Sequence, residues 1–170
     1  MKIDAETRKK QVAFLQAIGE HYRTCQSSVT TDAEGNIQLL IGSAEKTEED
    51  PLSAYPGYRI TANCVENEAA GIPPVIALRL TVWPLDDAQD PDDCDLAYED
   101  PEEYNNNRGP YGILAGEVCD NEVTFSSSLL CTCKTEQEFA GLFPLVIAAI
   151  DTMKAEMASY LEGALSAGKD

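Results

Sequence analysis

Residues 122–150 read EVTFSSSLLCTCKTEQEFAGLFPLVIAAI, and a change of hydrophobic period inside them decides the fold. From Glu122 to Cys133 the apolar positions alternate. Val123, Phe125, Leu129, Cys131 and Cys133 share one face with Ser127, while Thr124, Ser126, Ser128 and Thr132 fall largely on the other. That is the pattern of a half-buried strand, and a sheet with one water-facing side is antiparallel. From Thr135 the period lengthens to that of a helix. Thr135-Glu136-Gln137-Glu138 reads as a capping box, Thr135 accepting the amide three residues on and Glu138 reaching back. An apolar stripe then runs from Phe139 through Leu142, Phe143, Val146, Ile147, Ile150, Met153 and Met157 to Leu161. Pro144 removes one helix hydrogen bond, so a kink or a restart is expected there, and the tail 166–170 is expected to fray.

Working outward, the turn Asp120–Asn121 joins this strand to another predicted over Tyr111–Cys119, and Pro101 suits the first turn of a short helix over Pro101–Asn107. Two clearer strands lie upstream. Tyr58, Ile60, Ala62 and Cys64 alternate with Arg59, Thr61 and Asn63, and Ile76, Leu78, Leu80 and Val82 alternate with Ala77, Arg79 and Thr81. NEAAGIPP (67–74) reads as their connection, because Pro73 and Pro74 do not suit a ladder. Residues 43–57 read as a polar loop. Cys25–Thr30 and Ile37–Ile41 flank the turn-rich TDAEGN and read as a hairpin with Ile37, Leu39 and Ile41 on one face. Residues 4–23 form the first predicted helix, capped by Asp4 with Glu6 in its first turn. Val12, Phe14, Leu15, Ile18 and Tyr22 are its apolar positions, and Arg8, Lys9 and Lys10 its basic side. Gly19 costs that helix about 1 kcal/mol against Ala. The expected fold is α+β: a single antiparallel sheet of about five or six strands flanked by an N-terminal and a long C-terminal helix, in one domain over residues 1–170.

The chain has 170 residues, 44% of them hydrophobic, enough for one sizeable core. Its 12 Lys and Arg stand against 30 Asp and Glu, a formal charge of −18 and a pI near 4.2. Long-range repulsion on that scale excludes a nucleic-acid backbone or an anionic membrane as a direct partner. The charge is uneven. Residues 86–103 (DDAQDPDDCDLAYEDPEE) hold ten carboxylates and no base, which leaves 20 acids and 12 bases, a net −8, on the other 152 residues. Such a run is expected to be a mobile, solvated loop. No apolar run follows the basic residues of MKIDAETRKK, and the apolar stretch 140–150 is shorter than the roughly 20 residues a spanning helix needs. A cytoplasmic protein is expected.

No residue pattern names a reaction. His21 is the single histidine, at the end of the first predicted helix, where a histidine suits free carbonyls better than catalysis. The glycines are scattered rather than gathered in a phosphate loop. Asp90, Asp92 and Asp93 supply hard oxygen ligands, but Asp95 stands where a calcium-binding loop needs Gly. Six cysteines occur without a CxxC pair; Cys131 and Cys133 share a strand face and could touch a soft metal together, but small buried hydrophobes in a reducing compartment is the preferred reading. No cofactor, metal or catalytic set is expected.

The stretch EEYNNNRGPYGILAGEVCDNEVTFSSSLLC (102–131), a short helix ending near Asn105–Asn107, two strands, and then a capped long helix, resembles the type III secretion chaperone-like fold. It is similar in particular to the YbjN-like family of small acidic bacterial proteins. The long acidic 86–103 segment and the N-terminal hairpin depart from that pattern. The resemblance implies a non-enzymatic, homodimeric protein that binds a polypeptide segment. Candidate partner-binding residues are Trp83, Asp90, Asp92, Asp93, Asp95, Tyr98, Tyr104 and Tyr111; for Trp83, at a strand end before Pro84, core or rim packing is the preferred reading over a binding hot spot. The competing reading is an acidic inhibitor, either an immunity protein or a nucleic-acid mimic, that uses 86–103 against a basic partner.

Overall fold

In a computed structural model the described residues are 5–22, 26–42, 49–67, 72–83, 101–107, 113–116, 122–132 and 134–167. The elements among them are α1 (Ala5–His21), β1 (Gln26–Thr31), β2 (Ile37–Gly42), β3 (Gly57–Asn67), β4 (Ile72–Trp83), α2 (Pro101–Asn107), β5 (Leu114–Ala115), β6 (Val123–Leu130) and α3 (Glu136–Ala167). The fold is α+β. The six strands form one sheet in the order β1-β2-β3-β4-β6-β5, with every neighbouring pair antiparallel.

The alternation read from the sequence sets the two faces. Ile37, Leu39 and Ile41 of β2, Ile60 and Ala62 of β3, Leu78 and Leu80 of β4, and Val123 and Phe125 of β6 are buried on one side. Helices α1 and α3 cover that side, meeting through the stacked rings of Phe14 and Phe139 at 4.6 Å. Each of these side chains contributes about 1.5–3 kcal/mol by leaving water. Gly19 is explained here. A Cβ at that position would lie 2.7 Å from Ser27 Oγ and 3.3 Å from Leu39 Cδ1, so the missing side chain lets α1 lie close on β1 and β2.

Several expectations are corrected. Pro73 and Pro74 lie inside β4, not in a connection. They are tolerated because the β3–β4 register shifts between Val65 and Asn67, and the free carbonyl of Pro74 accepts the Cys131 amide at 3.1 Å. The strand expected over Tyr111–Cys119 is only Leu114–Ala115 among its described residues. The Asn105 side chain takes the place of a further strand there: its amide donates to the Ala115 carbonyl at 3.2 Å and its carbonyl accepts the Ala115 amide at 2.7 Å. Of the acidic run, 101–103 form the first turn of α2; the rest of the expected loop lies outside the described residues. Helix α3 runs unbroken through Pro144 and includes Ser166 and Ala167 of the expected frayed tail. Thr135 Oγ1 accepts the Glu138 amide at 3.2 Å, as in the expected capping box, and the Glu138 carboxylate accepts the Thr132 hydroxyl at 2.8 Å.

The expected polar loop also carries core. Leu52 and Tyr55 are buried, because Asp50 ties this segment to α3. Its carboxylate faces the Lys154 ammonium at 3.1 Å and accepts the Tyr58 hydroxyl and, at 2.9 Å, the Leu52 amide. Lys154 is buried, with the Tyr58 and Tyr22 rings 5.1 and 5.8 Å from its nitrogen. Burial alone would raise the Asp50 pKa; the bonds from Tyr58, Leu52 and Lys154, with the Lys154 charge, outweigh it and hold the carboxyl below its ordinary range. A carboxyl with a depressed folded-state pKa stabilises the fold above its unfolded value of about 3.9, and the contribution is lost as pH falls through the folded value. Lys154→Met should therefore cost about 3 kcal/mol in urea unfolding at pH 7. Below pH 4 the gap between variant and parent should narrow. A gap that stays constant to pH 2 would show that the pair carries no such linkage.

Candidate functional site

The opposite face of the sheet has no helix over it among the described residues, and the strand register arranges its side chains in rows. One row is Ser28, Leu40, Thr61, Arg79, Ser126 and Leu114. On one side of it lies the row Thr30, Gln38, Asn63, Ala77 and Ser128; on the other lies Gln26, Gly42, Arg59, Thr81 and Thr124. A shorter row, Val65, Val75 and Leu130, closes one end, and Trp83 closes the other. The face is thus mostly hydroxyl and amide, basic in the middle and apolar at one end.

Two depressions mark it. The larger, about 550 Å³, lies around Arg79 between Gln38, Asn63, Ser126 and Ser128, with Glu34 at its rim. The smaller, about 460 Å³, lies between Leu40, Arg59 and Trp83. Both volumes fall in the range of ligand-holding clefts. The floor is held in place from below and from the side. Thr81 and Thr124 hydroxyls meet across β4 and β6 at 3.3 Å. Asn63 donates to Asp32 at 2.9 Å from the β1–β2 turn, where Asp32 also accepts the amides of Glu34 and Asn36 and Gly35 adopts φ +88°. Burial pushes the Asp32 pKa up, but these bonds outweigh it and hold the carboxyl below its ordinary range.

Charge is sparse on the rows. Arg59 lies over the Trp83 ring at 5.8 Å, and Trp83 in turn donates its indole N–H to Glu122 at 3.2 Å. Arg79, exposed, has no hydrogen bond or ion pair to another described residue. Two of the three large exposed hydrophobics among the described residues, Leu114 at 53% and Leu130 at 73%, stand on this same face.

Of the residues expected to meet a partner, Trp83 is placed here, half-buried at the end of β4. Tyr104 is not. It is 1% exposed, packed against Phe125 and Tyr160 at 5.0 and 5.7 Å, with its hydroxyl on Glu156 at 3.1 Å. Helix α2 turns that ring inward, so Tyr104 is core and its candidacy is withdrawn. Asp90, Asp92, Asp93, Asp95, Tyr98 and Tyr111 lie outside the described residues. The site residues missed were Arg59, Arg79, and Ser126 and Ser128 of β6. Their signal was in plain view as the polar half of each alternation, and it acquires meaning only when register sets them side by side.

No group of three or more His, Cys, Asp or Glu residues is arranged to hold a metal among the described residues, and His21, exposed at the end of α1, packs edge-on against Tyr22 and Phe143. Cys64 and Cys131 are buried, the Cys131 thiol donating to the Glu138 carboxylate at 3.1 Å; Cys133 lies outside the described residues. No described helix is long and apolar enough to cross a membrane. Comparison with protein-family models, with curated proteins and with solved structures gave no match to this chain.

Tyr104→Ala should behave as a core deletion, costing about 3–5 kcal/mol in chemical denaturation. Tyr104→Phe, which keeps the ring and loses the hydroxyl with its bond to Glu156, should cost about 1 kcal/mol. Equal losses for the two variants would mean that the hydroxyl, not the packed ring, is what the fold requires.

Proposed function

We propose that this protein is a non-enzymatic, cytoplasmic binding module that docks a polypeptide partner on the open face of its sheet and works as a homodimer. The observation that carries the reading is the face itself: rows of hydrogen-bonding side chains that no described element covers, ending in exposed Leu114 and Leu130. Exposed apolar side chains gathered beside polar ones mark interaction surfaces. The resemblance of residues 102–131 to secretion chaperones of the YbjN-like kind points the same way.

A photo-crosslinking residue at Ser128 or Thr61 should give polypeptide adducts in the native host, whereas the same residue at exposed Gln16 of α1 or Ala155 of α3 should not. Adducts from the helices alone would overturn the docking face.

Self-association is assigned to the β1 edge. Asn105 occupies the β5 edge, while β1 reads Gln26-Ser27-Ser28-Val29-Thr30-Thr31, without the charge or proline that usually blunts an edge. A second copy pairing antiparallel there would extend the sheet and cover Val29, which α1 leaves half-exposed. Light scattering should give twice the chain mass of 18.5 kDa, reverting to the single mass in Ser28→Lys/Thr30→Lys. A parent protein that stays monomeric at high concentration would remove this part of the proposal.

A further inference from the structure

We propose that the open face selects an extended acidic segment: two carboxylates at positions i and i+2, engaged by Arg59 and Arg79, followed by an apolar side chain at i+6 seated on Val75 and Leu130. The inference rests on the docking face proposed above and names the chemistry of its occupant.

Register supplies the first argument. Arg59 stands opposite Thr81 and Arg79 opposite Thr61, so the two arginines are diagonal neighbours on adjacent strands. Diagonal Cβ atoms lie about 7–8 Å apart or slightly less, within mutual reach of two guanidinium groups. Like charges at that spacing oppose each other unless a counter-charge is supplied. No described acid pairs with either arginine: ion pairs join Lys10 to Glu6 and Lys154 to Asp50, Glu122 accepts the Trp83 indole N–H, and Glu34 lines the Arg79 depression without forming an ion pair to it. Serine and threonine hydroxyls around Arg79 add neutral donors to a bound carboxylate without competing for the guanidinium.

Charge over the whole molecule then selects the class of anion. At −18 the protein repels a polyanion over a long range, so a nucleic acid with its unbroken charge is disfavoured. A polypeptide brings two carboxylates and keeps the rest of its length neutral or basic. Spacing gives the pattern. Arg59 and Arg79 sit in successive same-face rows, about 6.7 Å apart along the strands, and the Val75–Leu130 row lies four residues beyond Arg79, about 13 Å further. An extended segment lying along the strands presents alternate side chains at the same repeat, which places carboxylates at i and i+2 and the apolar residue at i+6.

The probe is a fluorophore-labelled peptide, Gly-Glu-Ser-Glu-Ser-Ser-Ser-Leu-Gly, followed by anisotropy and by amide shifts of the isotope-labelled full chain. Shifts should cluster on Arg59, Thr61, Arg79, Ser126 and Leu130. The Arg59→Gln/Arg79→Gln variant, altered only at exposed positions, should bind about tenfold more weakly or worse, and so should the peptide carrying Gln for both Glu. Arg59→Lys/Arg79→Lys should fall between, keeping charge but losing the fork. Equal binding of the Glu and Gln peptides, or shifts confined to the helices, would overturn the proposal. So would saturation of both arginines by inorganic phosphate with no peptide binding. If crosslinks from Ser128 persist in Arg59→Gln/Arg79→Gln, the docking face stands and the acidic occupant falls; if open-face crosslinks never form, it is the docking face that fails.

Discussion

An ammonium group buried beneath two aromatic rings demands a counter-charge, and in this fold meeting that demand fixes much of the rest. Lys154 lies in the middle of α3, and Asp50 answers it from a segment that would otherwise be ordinary surface loop. Taking both charges from water costs several kcal/mol, recovered only with good geometry and further hydrogen bonds. Tyr58 and the Leu52 amide provide those bonds, so the carboxylate is satisfied on several sides. In making them, the segment carries Leu52 and Tyr55 into the core beside α3. The pair thus specifies where the long helix crosses the sheet. It does so at little net gain in stability over an apolar pair of similar volume.

That placement has a consequence on the far side. With α1, α3 and the 49–56 segment all committed to one face, the polar half of every alternation is left facing outward with no element above it among the described residues. Water suffices to solvate hydroxyls and amides, so openness by itself is no anomaly in an antiparallel sheet. Leu130 and Leu114 are the exception, since solvent gives an exposed leucine nothing. Leu114, at the β5 edge of the Arg79 row, and Leu130, in the apolar end row, border a face whose centre holds two arginines, which distinguishes this surface from a merely solvated one.

The sequence was legible where a single period governed. The 122–150 stretch showed both the strand and the capped helix, and a short helix does lie where Pro101 suggested one, around Pro101–Asn107. It misled where a tertiary partner overrode local preference. Pro73 and Pro74 argued for a connection, yet an irregular register spares β4 the amides they lack. Leu52 and Tyr55 looked like loop residues because the charge that draws them in lies about a hundred positions away on α3. Tyr104 looked like a docking aromatic, but its place on the seven-residue helix α2 aims it at Phe125 and Tyr160. The arginines of the open face were read as polar spacers. Their adjacency belongs to the pairing of β3 with β4, which periodicity does not encode.

The same pairing changes the meaning of the net charge. Taken over the chain, −18 describes a molecule that repels anions, and more than half of it belongs to residues 86–103. Taken over the described residues of the open face, the balance is reversed, because the sheet's rows carry Arg59 and Arg79 with described acids only at the rim. A molecule of this kind discriminates by scale. On the docking proposed above, its long-range field turns away extended polyanions, while two arginines at diagonal positions of neighbouring strands would hold a short anionic stretch that has come within a Debye length, about 8 Å at physiological salt. Selectivity for a few well-spaced carboxylates then needs no deep pocket. It follows from a flat, hydrogen-bonding surface whose positive charge is local and whose negative charge is everywhere else.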